Sequence, residues 1–215
     1  MTKKRTLLVV LAIVLVCAVS VMGTLAYLNA VADPVVNTFV AADAGEDFVG
    51  DLTLCEYLVE TNAAGLHVED KSQTTAANLY DNVLPGTSLP KTVIVSVEDK
   101  STAPGYLYVE IASQLDASVY SWDVTANWLP LAVTGKNGGT VYVYSVDGVN
   151  PAVITADLTV EGVLADNAIA VANTTDLKLS NDPQALTTMK IYAYLSQSTV
   201  NSTSDPAEVY DVCFN

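Results

Sequence analysis

Hydrophobic positions fall into two regimes along the chain. From Leu7 to Met22 every residue is apolar except Ser20, and this run follows Lys3, Lys4 and Arg5 with Thr6 between. A basic start before an apolar run is the layout of an export signal. The run is short for a membrane span, which needs about 20 residues. Small residues come next: Thr24-Leu25-Ala26 places Ala26 at a cleavage position, and Leu28-Asn29-Ala30 offers a looser one. The pattern predicts a signal helix over residues 1–27, with cleavage near 26–30, among Ala26, Tyr27, Leu28 and Ala30. An uncleaved anchor helix is the alternative.

Beyond the signal the period changes from helical to two. Residues 28–42 form a separate segment in which Val35, Val36, Asn37, Thr38, Phe39 and Val40 follow Pro34. Proline cannot donate to a ladder, so strand pairing is expected to begin after it. From Asp43 to Asn215 the strand signals repeat. They include Asp51–Val59, Lys91–Glu98 with Val93, Val95 and Val97 on one face, Gly105–Ala112, Thr140–Val146, Val153–Val160 and Leu186–Leu195. Glu60 to Asn78 is polar and reads as a loop. Pro85-Gly86 and Lys136-Asn-Gly-Gly139 are turn signals, the second of hairpin type. Pro206–Phe214 fits a short strand or a helical turn.

Eight or nine strands without intervening long helices predict an all-β protein. The expected fold is an antiparallel β-sandwich, one domain over 43–215, preceded by the signal helix. Three strands carry Tyr-x-Tyr, at Tyr106 and Tyr108, Tyr142 and Tyr144, and Tyr192 and Tyr194. Residues i and i+2 share a sheet face, so each pair is expected to pack across strands with its hydroxyls reaching water.

Charge narrows the partners. The formal charge is −15, and loss of Lys3, Lys4 and Arg5 takes it to −18. Such a surface repels nucleic acid and anionic lipid, leaving the membrane only as the place of an uncleaved signal. Cys55 and Cys213 are the cysteines outside the signal. An even pair in an exported chain allows one disulfide between them; two buried thiols are the alternative.

Catalytic constellations are scarce, and the expectation is no enzyme. His67 is the single histidine, no His-Glu-x-x-His or Gly-x-Ser-x-Gly occurs, and Arg5 is the single arginine. No cofactor is expected. The acidic clusters Asp43, Glu46 and Asp47, and Glu69 and Asp70, leave a structural calcium open, with solvated acidic loops as the default.

Several of these stretches, taken in order, resemble one family. Gly23-Thr-Leu-Ala-Tyr-Leu28 followed by Val35-Val-Asn-Thr-Phe39 looks like the signal junction of the TasA/camelysin family. Leu84-Pro-Gly86 with Leu89-Pro-Lys91, Gly105–Ile111, and Trp122 or Trp128 followed by Val141-Tyr-Val-Tyr144 are similar to its successive strands. Ile191-Tyr-Ala-Tyr-Leu-Ser-Gln197 and Ala207-Glu-Val-Tyr210 match its closing strand and tail. Departures stand at Asn29–Asp33 and at Val209-Tyr210. The resemblance implies a jelly roll and a secreted protein of the extracellular biofilm matrix, cut by a SipW-type signal peptidase. It implies a head-to-tail homopolymer, in which the N-terminal strand of one subunit joins the sheet of the next. Here that donor strand would be Val35–Val40. A cell-surface adhesin or ligand-binding sandwich, and less so a camelysin-like metalloprotease, are the other classes.

Overall fold

The computed structural model describes residues 30–31, 50–81, 83–98, 103–173 and 188–215. The strands in chain order are β1 (Ala30–Val31), β2 (Asp51–Thr61), β3 (His67–Thr75), β4 (Ser88–Pro90), β5 (Val93–Glu98) and β6 (Gly105–Ser113). They continue with β7 (Tyr120–Ser121), β8 (Trp128–Thr134), β9 (Thr140–Tyr144), β10 (Leu158–Glu161), β11 (Ala168–Val171) and β12 (Met189–Gln197). Among the described residues one α-helix follows, α1 (Pro206–Phe214). The protein is an all-β sandwich.

Its sheets run β1-β12-β6-β9-β8, β10-β5-β2-β3 and β4-β11-β7. Every pairing is antiparallel. Only β2–β3 and β8–β9 pair as sequence neighbours. The other pairings join strands separated along the chain, so long crossovers knit the sandwich.

Alternation explains the main core. Val93, Val95 and Val97 of β5 face inward as predicted, with Leu52 and Leu54 of β2 beside them. Across the sandwich they meet Leu107, Val109 and Ile111 of β6 and Ile191, Ala193 and Leu195 of β12. The opposite face of the five-stranded sheet is covered too. There Tyr108, Tyr194, Val141 and Val143 pack under Val209, Tyr210 and Phe214 of α1. The last turn signals are decided by capping: the Asp205 side chain accepts from the Ala207 and Glu208 N–H groups, and Pro206 opens the helix. A capped N-terminus with proline in the first turn favours helix over strand.

Several expectations change. Residues 67–75 form β3, although the polar sequence reads as a loop. An edge strand with most side chains in solvent needs few apolar residues. Its pairing with β2 slips between Tyr57 and Leu58. Asn78 fills the gap, donating to the Tyr57 carbonyl and accepting from the Val59 N–H at 2.7 Å each. The expected strand Val153–Val160 shortens to β10, with Ile154 held only by an isolated bridge to Gly105. Strands β4, β8 and β11 carry no clear two-period signal; β8 contains Pro130 and β4 ends on Pro90.

The Cys55–Cys213 disulfide is not formed. Alternation explains why. Cys55 lies between inward Leu54 and Glu56 and so points out of the four-stranded sheet, while Cys213 rides on α1 outside the five-stranded sheet. The core separates them. Burial, then the neighbouring Glu56 charge, pushes the Cys55 thiol upward in pKa.

Candidate functional site

An exposed strand edge presents N–H and C=O groups that another chain can pair. The five-stranded sheet has two such edges. β12 spans nine residues in unbroken register with β6, from Met189 opposite Ser113 to Gln197 opposite Gly105. On its other side, among the described residues, only Leu195 and Tyr194 are paired, by Ala30 and Val31. Among the described residues, the rest of this side of β12 carries no paired strand.

The other edges are less suited. β8 carries Pro130, which has no N–H, and its register with β9 breaks between Pro130 and Thr134. The side chain of Asn215, at the end of α1, also donates to its Thr134 carbonyl at 3.0 Å. β3 is charged, with Glu69, Asp70 and Lys71 in succession, and β10 has four residues. Proline, bulges, charge and shortness all discourage edge pairing.

A buried polar network spans the outer face from β12 to the β8–β9 hairpin. Glu110 of β6 is fully buried. Its Oε1 accepts from the Asn137 and Gly139 N–H groups at 2.8 Å each. Its Oε2 accepts from the Tyr194 hydroxyl at 2.6 Å and from Asn137 Nδ2 at 3.0 Å. Four donors satisfy a carboxylate that would otherwise be costly to bury. The hairpin turn comes so close that a Cβ on Gly135 would lie 2.2 Å from Glu110 Cδ, which explains glycine there. Burial, followed by the hydrogen bond to Glu110, pushes the Tyr194 hydroxyl far above its ordinary pKa.

This corrects the expected tyrosine stripes. Tyr106 and Tyr108 are buried, and their hydroxyls reach the Ser204 and Pro206 carbonyls at 3.0 and 3.1 Å rather than water. Tyr142 and Tyr144 face the inner core instead. The stripes hold α1 and the sheets together and leave no open aromatic platform.

A second polar cluster sits where β3 meets β4. Lys91 Nζ and Glu56 Oε2 form a buried pair at 2.7 Å. Glu56 also accepts from the Asn78 N–H at 2.7 Å. Glu69 accepts from the Thr92 N–H and hydroxyl at 2.8 and 2.9 Å. Tyr80 donates to the Pro90 carbonyl, and its pKa is pushed far up, first by burial and then by the Glu56 and Glu69 charges. His67 is not in an open loop. It starts β3 with its side chain 4% exposed, packed 5.4 Å from the Tyr80 ring.

The sequence-predicted sites divide as follows. Val35, Val36, Asn37, Thr38, Phe39 and Val40 lie outside the described residues, as do Ala26, Tyr27, Leu28 and the cluster Asp43, Glu46 and Asp47. Ala30 is described, and it lies in β1. Asp70 accepts from Ser72 and Gln73, while Glu69 holds Thr92. Among the described residues no three His, Cys, Asp or Glu side chains are grouped to hold a metal ion. Sequence reading missed Glu110, although a lone acid amid Gly105–Ile111 was a signal, and it missed Asn137 as more than a turn residue.

The chain matches no family model, no curated protein and no solved structure.

Proposed function

We propose that this chain is an exported structural protein that polymerises head to tail by adding an N-terminal strand of one subunit to the β12 edge of the next. The observation that supports this reading is the unequal build of the edges among the described residues: β12 is long, regular and paired on its outer side by two residues, whereas β8, β3 and β10 are blunted. A strand added there gains a backbone ladder and side-chain pockets at alternate positions. A head-to-tail contact that does not close produces a filament. The resemblance to the TasA/camelysin family supports the same reading, with a SipW-type peptidase as processing partner and the extracellular matrix as location. No catalytic role is part of it.

The Ala30–Val31 contact contributes about 0.5–1.5 kcal/mol net per hydrogen bond, against about 1–2 kcal/mol per ordered residue. Such a contact is marginal and easily displaced. The six-residue segment Val35–Val40 brings four apolar side chains, and burying Phe39 alone adds roughly 1.5–3 kcal/mol. Ordering that segment costs the same about 1–2 kcal/mol per residue, so the balance is narrow and one good anchor decides it.

Electron microscopy of the secreted protein tests this, with wild type beside Phe39→Asp and a chain lacking residues 28–42. Wild type should form fibres, and both variants should remain monomers with an unchanged β-sheet circular dichroism spectrum. Fibres from the shortened chain at the wild-type rate would overturn the proposal.

A further inference from the structure

Asn137-Gly138 is the chain's single Asn-Gly pair, and it lies at the tip of the β8–β9 hairpin. Asn-Gly suits such a turn, but the pair also carries a reaction. The Gly138 nitrogen can attack Asn137 Cγ and close a five-membered ring, and glycine puts no Cβ in the way. Nucleophile and target belong to one dipeptide, so the step needs no second molecule to bring them together. Both residues are exposed, and solvent water reaches them.

The fold restrains both reacting groups. The Gly138 N–H donates to the Gly135 carbonyl at 2.8 Å. Its nitrogen has to leave that bond before it loses its proton and turns to Cγ. Asn137 Nδ2 donates to Glu110 Oε2 at 3.0 Å and to the Tyr194 hydroxyl oxygen at 2.8 Å. Both partners accept from this nitrogen, so neither hands it the proton it must gain to depart as ammonia. The Asn137 backbone N–H is tied as well, to Glu110 Oε1 at 2.8 Å. The turn also has little room to rearrange: a Cβ on Gly139 would lie 2.5 Å from the Ile111 carbonyl oxygen of β6.

We propose that Asn137 is a deamidation site kept shut by the Glu110 network, and that deamidation, once the turn opens, breaks that network irreversibly. A bond forms between the Gly138 nitrogen and Asn137 Cγ, and the Cγ–Nδ2 bond breaks. The proton lost from Gly138 is made up on Nδ2, which leaves as ammonia. Water then opens the succinimide ring and leaves aspartate or isoaspartate at position 137, with no oxidation or reduction at either step. Aspartate puts a carboxylate where the amide donated to Glu110 Oε2, and two carboxylates at that separation repel. Isoaspartate also lengthens the backbone of a turn pressed onto β6. The chemistry belongs to the hairpin and does not depend on polymerisation.

Peptide mapping of the full mature chain, incubated at mildly alkaline pH, tests this. Aspartate and isoaspartate at position 137 are followed over time in native and in urea-unfolded protein. The unfolded chain should react at least about tenfold faster, the ratio expected when hydrogen bonds must break first. Tyr194→Phe removes one acceptor from Nδ2 and should raise the native rate about threefold or more. Tyr80→Phe loses a hydrogen bond in the other polar cluster and should leave that rate unchanged. Asn137→Asp reproduces the product. It should unfold at a lower urea concentration than Asn137→Ser, which loses the amide without gaining a charge. Equal rates in native and unfolded chains, a native rate raised no more by Tyr194→Phe than by Tyr80→Phe, or equal urea midpoints for the two Asn137 variants would each overturn the proposal.

Discussion

At one edge of the five-stranded sheet stands β8, interrupted by Pro130, bulged against β9 and tied to α1 through Asn215. At the other stands β12, nine residues in continuous register with β6 and, among the described residues, two paired positions on its outer side. Both strands have one face in the same aromatic core beneath α1. They differ in what their backbones offer outward. The same sheet is blunted at one edge and, among the described residues, covered over two residues at the other. In the proposed polymer such an asymmetry would favour growth in one direction, because each subunit would present a single acceptor.

The largest expected effect comes from saturating the open edge. A synthetic peptide of residues 28–42 in excess should cap β12 and stop fibre growth. Growth curves by light scattering check this, and an unchanged rate would place the acceptor elsewhere.

Next in size is the network that joins the two edges. Glu110→Leu leaves the Asn137 and Gly139 N–H groups without their acceptor and should destabilise the fold by about 2–4 kcal/mol. Urea unfolding measures it. Glu110→Gln keeps the volume and one acceptor oxygen and should cost clearly less; equal losses would mean that packing, not the hydrogen bonds, matters there.

A smaller effect follows from repairing the blunted edge. Pro130→Val restores an N–H on β8 and should raise self-association seen by light scattering, with stability changed by no more than about 1 kcal/mol. If association stays at the wild-type level, the bulge and α1 suffice to close that edge.

The smallest effect near neutral pH lies with the buried tyrosines. Tyr80, Tyr108 and Tyr194 all have raised pKa values, with burial the first cause. A group raised in the folded state contributes stability that is complete below its unfolded value, about 10 for tyrosine. That contribution is lost as pH rises from there toward the folded values. Denaturant midpoints should be flat from pH 8 to 9.5 and fall above pH 10. Tyrosinate absorbance should lag in the folded protein; titration of all 11 tyrosines together near pH 10 would refute the burial argument.

The sequence by itself determined the class of fold and the long inward strands, because a period of two with valine at alternate positions has one stable solution: a sheet with one face on a core. β5, β6 and β12 were legible for that reason. It also determined the hairpin at Lys136–Gly139, where glycines permit the turn. What it left open turned on partners distant along the chain. β3 is polar because its outer positions meet water, which only its place at a sheet edge explains. Cys55 and Cys213 are compatible with a disulfide by count, and strand alternation and the position of α1 set them on opposite sides of the core. Glu110 is readable as a surface acid until Asn137, Gly139 and Tyr194 close around it from 27, 29 and 84 residues away. The place of β12 in its sheet is of the same kind: which strands are its neighbours is a property of the assembled sheet alone.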